Sequence, residues 1–329
     1  MVLNNNTLKN KQNTGTMKYL SDNIINISLL IILIVMLGIF FLINNKFLSV
    51  QNIMNIFLQS SVIAVCAIGV TLVIISGGID LSTGSNVALG GAVGALIFTR
   101  SGNAFLSIIG TIIACTSVGL LNGFAIGRFK INPLMMTLGT MSMCRGLTLG
   151  LLKANAIIVN NNMYNWLGQG YVGPIPSAAI FLVVLYFIFN YLFKKHSFGL
   201  KLFAVGQNAE AAKASGVHTE KIVMFTYIIT GILVGFGSII TVGRLLSAQP
   251  WAGLGLEFEI ITAVIIGGTN IKGGEGKLAG TFLGALITGV LSNGMSFMNI
   301  APFYQYIVRG TILISVIYIY NIFYERRTI

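Results

Sequence analysis

Apolar runs close to 20 residues long recur throughout this chain, and short polar breaks separate them. The runs fall at 27–43, 53–76, 84–99, 104–127, 133–152, 177–193, 222–242, 258–269, 278–298 and 303–323. A helix rises about 1.5 Å per residue, so about 20 apolar residues cross the ~30 Å hydrocarbon core of a bilayer. The expected fold is therefore all-α, a polytopic transmembrane helical bundle of about ten spans. The eighth run is too short to cross straight. With Glu257 and Glu259 at its start, it reads as a half-helix or as a helix that begins deeper in the preceding loop. Composition supports lipid as the main solvent: 55% of residues are hydrophobic and 9% charged, against about 25% charged in an ordinary soluble domain.

The formal charge of +12 forms no basic stripe with interleaved aromatics, so nucleic acid is not an expected partner. Topology accounts for the excess, because Lys and Arg gather in cytoplasmic loops. With a cytoplasmic N-terminus, the inside segments hold Lys9, Lys11, Lys18, Arg128, Lys130, Lys194, Lys195, Lys201, Lys213, Lys221, Lys272, Lys277, Arg326 and Arg327, which is 14 of the 20 basic residues. Both termini are then expected in the cytoplasm. The division is a polar tail (1–26), a transmembrane domain (27–323) with a long inside loop (194–221), and a short tail (324–329). The polar stretch Met1 to Asp22 is followed by no small-residue cleavage site, so the first run reads as a retained span. Cys66, Cys115 and Cys144 lie in apolar runs without paired spacing, and read as packing residues rather than disulfide partners or metal ligands.

Ile75 to Ile97 aligns without gaps on Ile265 to Ile287, with nine identities that include Gly77/Gly267, Gly78/Gly268, Gly84/Gly274, Gly90/Gly280 and Gly94/Gly284. An internal duplication is the expected origin, and repeats in transporters frame the substrate route. The pairs Gly90-x-x-x-Gly94 and Gly280-x-x-x-Gly284 suit close helix packing. The adjacent glycines Gly77-Gly78 and Gly267-Gly268 suit a sharp reversal or a broken helix beside a cavity. Gly276-Lys277 is no phosphate loop, since Ile271 stands where the first glycine belongs and Leu278 where Ser or Thr would bind Mg²⁺. An ATP-driven version of this chain needs a separate hydrolysing polypeptide. In the inside loop, Asn208 can cap a helix from Ala209 to Ser215, with Glu210 at its positive end and Gly216 as the left-handed stop. Two turns of helix are marginal in water, which points to a partner surface.

Four stretches carry a resemblance to a known family. They are Gly77-Gly78-Ile79-Asp80-Leu81-Ser82-Thr83-Gly84-Ser85, Ala204-Val205-Gly206 through Gly216-Val217, Arg244 through Glu257, and Gly267-Gly268-Thr269. From about Phe47 to Ile322 the chain resembles the monosaccharide (ribose-type) ABC importer permeases. Trp251, Leu256 and Glu259 depart from the pattern, where a small polar residue, Tyr and Asp are usual.

The resemblance implies a transport subunit, not an enzyme, with no cofactor of its own and with ATP bound by separate ATPase subunits. Expected partners are those subunits, an extracytoplasmic sugar-binding protein, a second permease copy and membrane lipid, in the cytoplasmic (inner) membrane. Glu210-Ala211-Ala212-x-x-x-Gly216, capped by Asn208, is the expected ATPase-coupling loop. Gly77, Gly78, Asp80, Ser82, Arg145, Gly267, Gly268 and Thr269 are candidates for translocation or gating. Arg244, Gln249, Trp251, Glu257 and Glu259 are candidates for external docking.

Charges inside a membrane cost about 2.5–3.5 kcal/mol each at a helix centre on insertion scales, and so mark functional or paired positions. Arg145 suits either two sugar hydroxyls or a structural partner, Arg309 suits a structural pair, and Asp80 suits either a cap or the transport route. Glu257 and Glu259 suit docking or stabilisation of a helix N-terminus. His196 and His218 have no neighbouring nucleophile and read as solvated. The alternative function is a secondary transporter driven by an ion gradient, which calls for a relay of intramembrane carboxylates and histidines.

Overall fold

The computed structural model describes residues 26–325. Lys9, Lys11, Lys18, Arg326 and Arg327 lie outside these residues, with most of both tails. Every apolar run is a helix: α1 (Asn26–Ile43), α2 (Val50–Ile75), α3 (Thr83–Ser101), α4 (Ala104–Phe129) and α5 (Pro133–Leu152) in the first part. After a short α6 (Asn162–Gln169) come α7 (Ser177–Lys195), α8 (Ser197–Gln207), α9 (Ala209–Ala214), α10 (Thr219–Leu245), α11 (Leu256–Ile266), α12 (Leu278–Phe297) and α13 (Pro302–Glu325). Six of these, α1, α2, α4, α7, α10 and α12, are long and apolar enough by themselves to cross a bilayer. At 11 residues, α11 reaches only about 16 Å and is a half-helix, as its sequence suggests.

The polar breaks are built to start helices. The side chains of Asn103, Asn132, Asn161 and Asn208 each accept a hydrogen bond from the first turn of the helix that follows, satisfying donors that have no partner inside the helix. Pro133 adds a residue whose missing N–H costs nothing at a helix start. His196 is also a cap, its Nδ1 accepting from the Phe198 N–H at 3.1 Å, a role beyond the solvated one expected of it.

Helix α2 is the centre of the bundle. Of its most apolar window 94% is buried inside the protein, against 11% for α1, so α1 faces the surroundings and α2 faces other helices. It packs on α10, α12, α11 and α7. The Thr71 and Thr281 hydroxyls meet at 2.9 Å, and Asn52 Nδ2 donates to Asn293 Oδ1 at 3.0 Å, which fixes α2 and α12 antiparallel. Glycines bring α4 and α10 into backbone contact: a β-carbon at Gly119, Gly123 or Gly127 would strike the main chain of Tyr227, Met224 or Glu220. The same logic holds at Gly90 and Gly94 on α3, whose missing side chains admit Cys115 and Thr111 of α4.

The gapless alignment of the two glycine-rich copies does not survive in three dimensions. Seven residues (76–82) separate α2 from α3, whereas eleven (267–277) separate α11 from α12. Gly84 therefore lies in a helix and Gly274 in a turn. The extra residues include Gly273 and Gly274, both at positive φ, which fold the second turn back so that the Gly274 N–H donates to the Ile75 carbonyl at 2.9 Å. The left-handed stop is Gly77 (φ +85°) in one copy and Gly268 (φ +84°) in the other, one position out of register.

The 153–177 segment holds α6 and three two-residue strands that enter two small antiparallel pairings. Strand β1 (Ile157–Ile158) pairs with the later β4 (Ser247–Ala248), Ile157 opposite Ala248, and β2 (Tyr171–Val172) pairs with β3 (Ile175–Pro176). Tyr164 of α6 is buried and its hydroxyl meets Ser107 Oγ at 2.8 Å, while Trp166 and Tyr171 stay exposed.

Candidate translocation cavity and coupling surface

Depth in the bundle can be read along α10, whose 27 residues span about 40 Å. The Tyr227 hydroxyl, eight residues from its start, donates to the Ile79 carbonyl at 3.1 Å. Ser238, nineteen residues from its start, donates to the Val87 carbonyl at 2.8 Å. The turn after α2 therefore climbs into the bundle, and α3 begins about 20 Å along α10. Asp80 is buried within the bundle. Its Oδ1 accepts from the Ser82 hydroxyl (2.6 Å) and the Ser82 N–H (2.9 Å), and Asn122 Nδ2 donates to Ser82 Oγ at 3.1 Å. This network fastens the turn to α4.

Helix α11 begins in the same place. A β-carbon on Gly84 would strike Glu257 Oε2 and the Gly253 carbonyl, so the first turns of α3 and α11 touch. From this junction α3 runs toward the C-terminal end of α10, with Gly91 against Val242. Helix α11 runs the other way, ending where Gly267 meets Gly280 of α12. Two partly positive helix starts thus meet at the buried Glu257 carboxylate. Arg145 holds the lead-in to α11: its guanidinium donates to the Pro250 carbonyl at 2.7 Å and the Ala252 carbonyl at 3.0 Å.

Beside this junction, at the α10 end bearing Arg244, is a cavity of about 350 Å³ between α2, α10, α11, α12 and α13. Gln59, Thr241, Arg244, Glu259, Ser292, Ser296 and Arg309 supply its polar wall, and Val62, Ile63, Leu245, Leu254 and Leu256 its apolar one. Glu259 and Arg309 form an ion pair at 2.6 Å, and Ser292 Oγ bridges them, donating to Glu259 (3.2 Å) and accepting from Arg309 (3.3 Å). Arg309 thus has the structural pair expected of it. The Glu257 and Glu259 side chains are both buried by the chain itself, so among the docking candidates the exposed residues are Gln249 and Trp251. Arg244 lines the cavity, partly exposed.

The opposite end of α10 carries the second cluster. Helix α9 exposes Ala209, Glu210, Ala211, Lys213 and Ala214 and buries Ala212 in the core. Asn208 Oδ1 accepts from the Ala211 N–H at 2.9 Å, and Gly216 at φ +83° closes the helix, its N–H donating to the Lys213 carbonyl. Helix α8, unrecognised in the sequence, runs into α9 and touches both glycine turns. A β-carbon on Gly206 would strike the Ile75 carbonyl and the Gly274 N–H, and Gly273 sits against Gly77 and the Gly206 carbonyl. Gly77, Gly206 and Gly273–Gly274 therefore form one backbone knot at the base of α9. Thr269 is buried nearby, against Gly276.

Of the sequence candidates, the structure gathers Asp80 and Ser82 into one network and sets Glu257 beside α3. It also ties Arg145 to the α11 lead-in and places Arg244 and Glu259 in the cavity. Sequence reading missed Gln59, Thr241, Ser292, Ser296 and Tyr227. Their signal was a polar atom inside an apolar run, which only tertiary packing separates from a hydroxyl bonded back to its own helix.

A lipid-facing helical bundle with broken helices around a polar cavity defines a multi-pass membrane permease. The chain matches a family model described as the permease component of branched-chain amino acid transport systems over residues 52–317. It is 33% identical over 296 residues to the ribose import permease protein of Escherichia coli (strain K12), which covers 89% of this chain and 92% of the relative. Identity is 36% over 286 residues to that of Bacillus subtilis (strain 168), covering 84% and 89%. It is 33% over 268 residues to an L-arabinose ABC transporter permease protein of Azospirillum brasilense, covering 82% and 79%. No solved structure matches the chain. The chain belongs to this permease family, in its sugar-type ABC branch, and is a multi-pass protein of the cytoplasmic membrane.

Proposed function

We propose that this chain is the membrane-spanning subunit of an ATP-driven importer for a small, ribose-like sugar. It forms the translocation path and couples through α9 to separate ATPase subunits, and the relatives that transport ribose, L-arabinose and D-allose support the sugar class. A second permease copy completes the path, and an extracytoplasmic binding protein delivers cargo at the end bearing Gln249 and Trp251. With about ten spans and cytoplasmic termini, as the basic residues suggest, α9 lies on the ATPase side in this reading.

The knot at Gly206 carries the coupling reading. Helix α9 presents an exposed face of small residues to a partner, and α8 joins it directly to both glycine turns. Movement of α9 therefore bears on the turn that leads into α3 and the turn that leaves α11. Alternating access then follows as a two-state rearrangement of these half-helices, biased by the nucleotide state of the partner.

The test is reconstitution of the chain with its ATPase subunits and binding protein. Gly206→Val, Glu210→Ala and Gly216→Val are expected to lower sugar-stimulated ATP hydrolysis at least tenfold while the complex with the binding protein persists. Unchanged stimulation in all three variants would overturn the assignment. Uptake by the chain alone, driven by an ion gradient, would establish the secondary-transporter alternative.

A further inference from the structure

The cavity at the Arg244 end has the walls of a ligand site, and its charges are incompletely matched inside the chain. Glu259 and Arg309 neutralise one another at 2.6 Å, yet the buried Arg309 Nε has no hydrogen-bond partner. Among the described residues, the Arg244 guanidinium makes neither an ion pair nor a side-chain hydrogen bond. Arg244, which lines the cavity, therefore offers donors to something that enters. Glu259 offers acceptor oxygens in the same space, and Ser292 and Ser296 offer hydroxyls.

A free anion would use only the donors of this wall and leave the acceptor oxygens of Glu259 unused. A neutral molecule rich in hydroxyls suits it, since each hydroxyl both donates and accepts. The apolar part of the lining, with Val62, Ile63 and Leu256, suits the C–H face of a sugar ring. About 350 Å³ falls within the ~300–1,000 Å³ range of small-molecule sites.

We infer that this cavity is a sugar-contact site inside the permease, in which Arg244 donates to ring or hydroxyl oxygens and the Glu259–Arg309 pair positions the wall. The inference rests on the sugar-importer reading and adds to it a place where cargo pauses within this chain. Contact is weak by design, since cargo must leave again, and occupancy requires millimolar sugar.

The experiment uses the full chain in lipid nanodiscs with Ser296→Cys as a reporter. Ser296 is exposed to the cavity, and the native Cys66, Cys115 and Cys144 are buried. Labelling by a membrane-impermeant thiol reagent is timed with D-ribose, L-arabinose, D-allose or D-ribose 5-phosphate present. Neutral sugars are expected to slow labelling at least threefold. Arg244→Gln is expected to abolish that protection without changing the unprotected rate, and Arg244→Lys to retain part of it. If Arg244→Gln fails to fold, Gln59→Leu serves instead and is expected to weaken protection.

Protection unchanged in both variants, or given by the phosphate alone, overturns the inference. If no neutral sugar protects while the assembled importer still carries ribose, the cavity assignment fails and the importer reading stands. If the assembled importer carries none of these sugars, the importer reading itself fails.

Discussion

The Glu259–Arg309 pair offers the most direct test of the energetics. The charged atoms are 2.6 Å apart, with side chains 9% and 19% exposed, so neither ion is screened by much water. Glu259→Gln leaves Arg309 with only long contacts to Ser292 (3.3 Å) and Gln305 (3.4 Å). Removing one member of a buried pair costs about 3–5 kcal/mol, because the other charge stays buried without compensation. Arg309→Met should cost a similar amount. The double variant Glu259→Met with Arg309→Met removes both charges and keeps most of the volume, so it should cost less than either single change. Unfolding by SDS in mixed micelles, followed by far-UV circular dichroism, reads all four proteins. The double variant is expected at least about 2 kcal/mol more stable than additivity allows, at the upper part of the coupling range for contacting residues. Additivity within about 0.5 kcal/mol would show that the two side chains act independently and would refute the pairing.

Other expected outcomes follow from single contacts. Arg145→Met removes two charge-assisted bonds to the Pro250 and Ala252 carbonyls, each worth about 1.5–3 kcal/mol, and should raise hydrogen exchange in the 249–255 loop above that of α10. Unchanged exchange would separate Arg145 from the α11 lead-in. Gly216→Ala forces a side chain into φ +83° at about 1–2 kcal/mol. It should fray α9, seen as faster labelling of a cysteine at Ala212, which is buried in the native chain. Ser215→Cys is expected to react with an impermeant reagent only from the cytoplasmic side of oriented vesicles, and reaction from outside would invert the topology.

The helices were legible because an apolar run of spanning length has one economical backbone solution in lipid. The α9 cap was legible for a local reason: Asn208, Glu210 and Gly216 act within nine consecutive residues. Helix α8 was hidden because Ser197–Gln207 buries only Gly199, Leu202 and Val205, a face set by packing rather than by strong periodicity. The repeat misled because identity between glycines reports shared backbone tolerance and not shared position. Gly84 accommodates a carboxylate and Gly274 accommodates Gln207, so the same residue type answers two different crowding problems. Glu257 and Glu259 open a short run, which suited docking or stabilisation of a helix N-terminus, and both lie in the first turn of α11. Burial follows from where the run begins, against Gly84 inside the bundle, and no local pattern encodes that contact.

Two physical connections join the α9 end to the cavity, and they differ in stiffness. One runs the full length of α10, about 40 Å, which is locked against α4 through Gly119, Gly123 and Gly127 and can move only together with it. The other runs from Gly206 to the turn at Gly273–Gly274 and then along α11, about 16 Å, to Leu256 and Glu259 in the cavity wall. The second is shorter, and it passes through a half-helix whose ends are both turns. A close-packed pair such as α4 and α10 resists relative sliding, because glycine contacts leave no side chains to re-sort into new rotamers. Helix α11 also meets α12 through glycines at Gly267, Gly280 and Gly284, but it is tethered at its start by Arg145 through hydrogen bonds to two carbonyls, which can re-form at another angle. On the importer reading, α11 therefore moves together with α12, and the α4–α10 pair is the frame. Three of the four motif stretches lie at the two ends of α11 and in the turn after α2, and the fourth, 204–217, lies on α8 and α9.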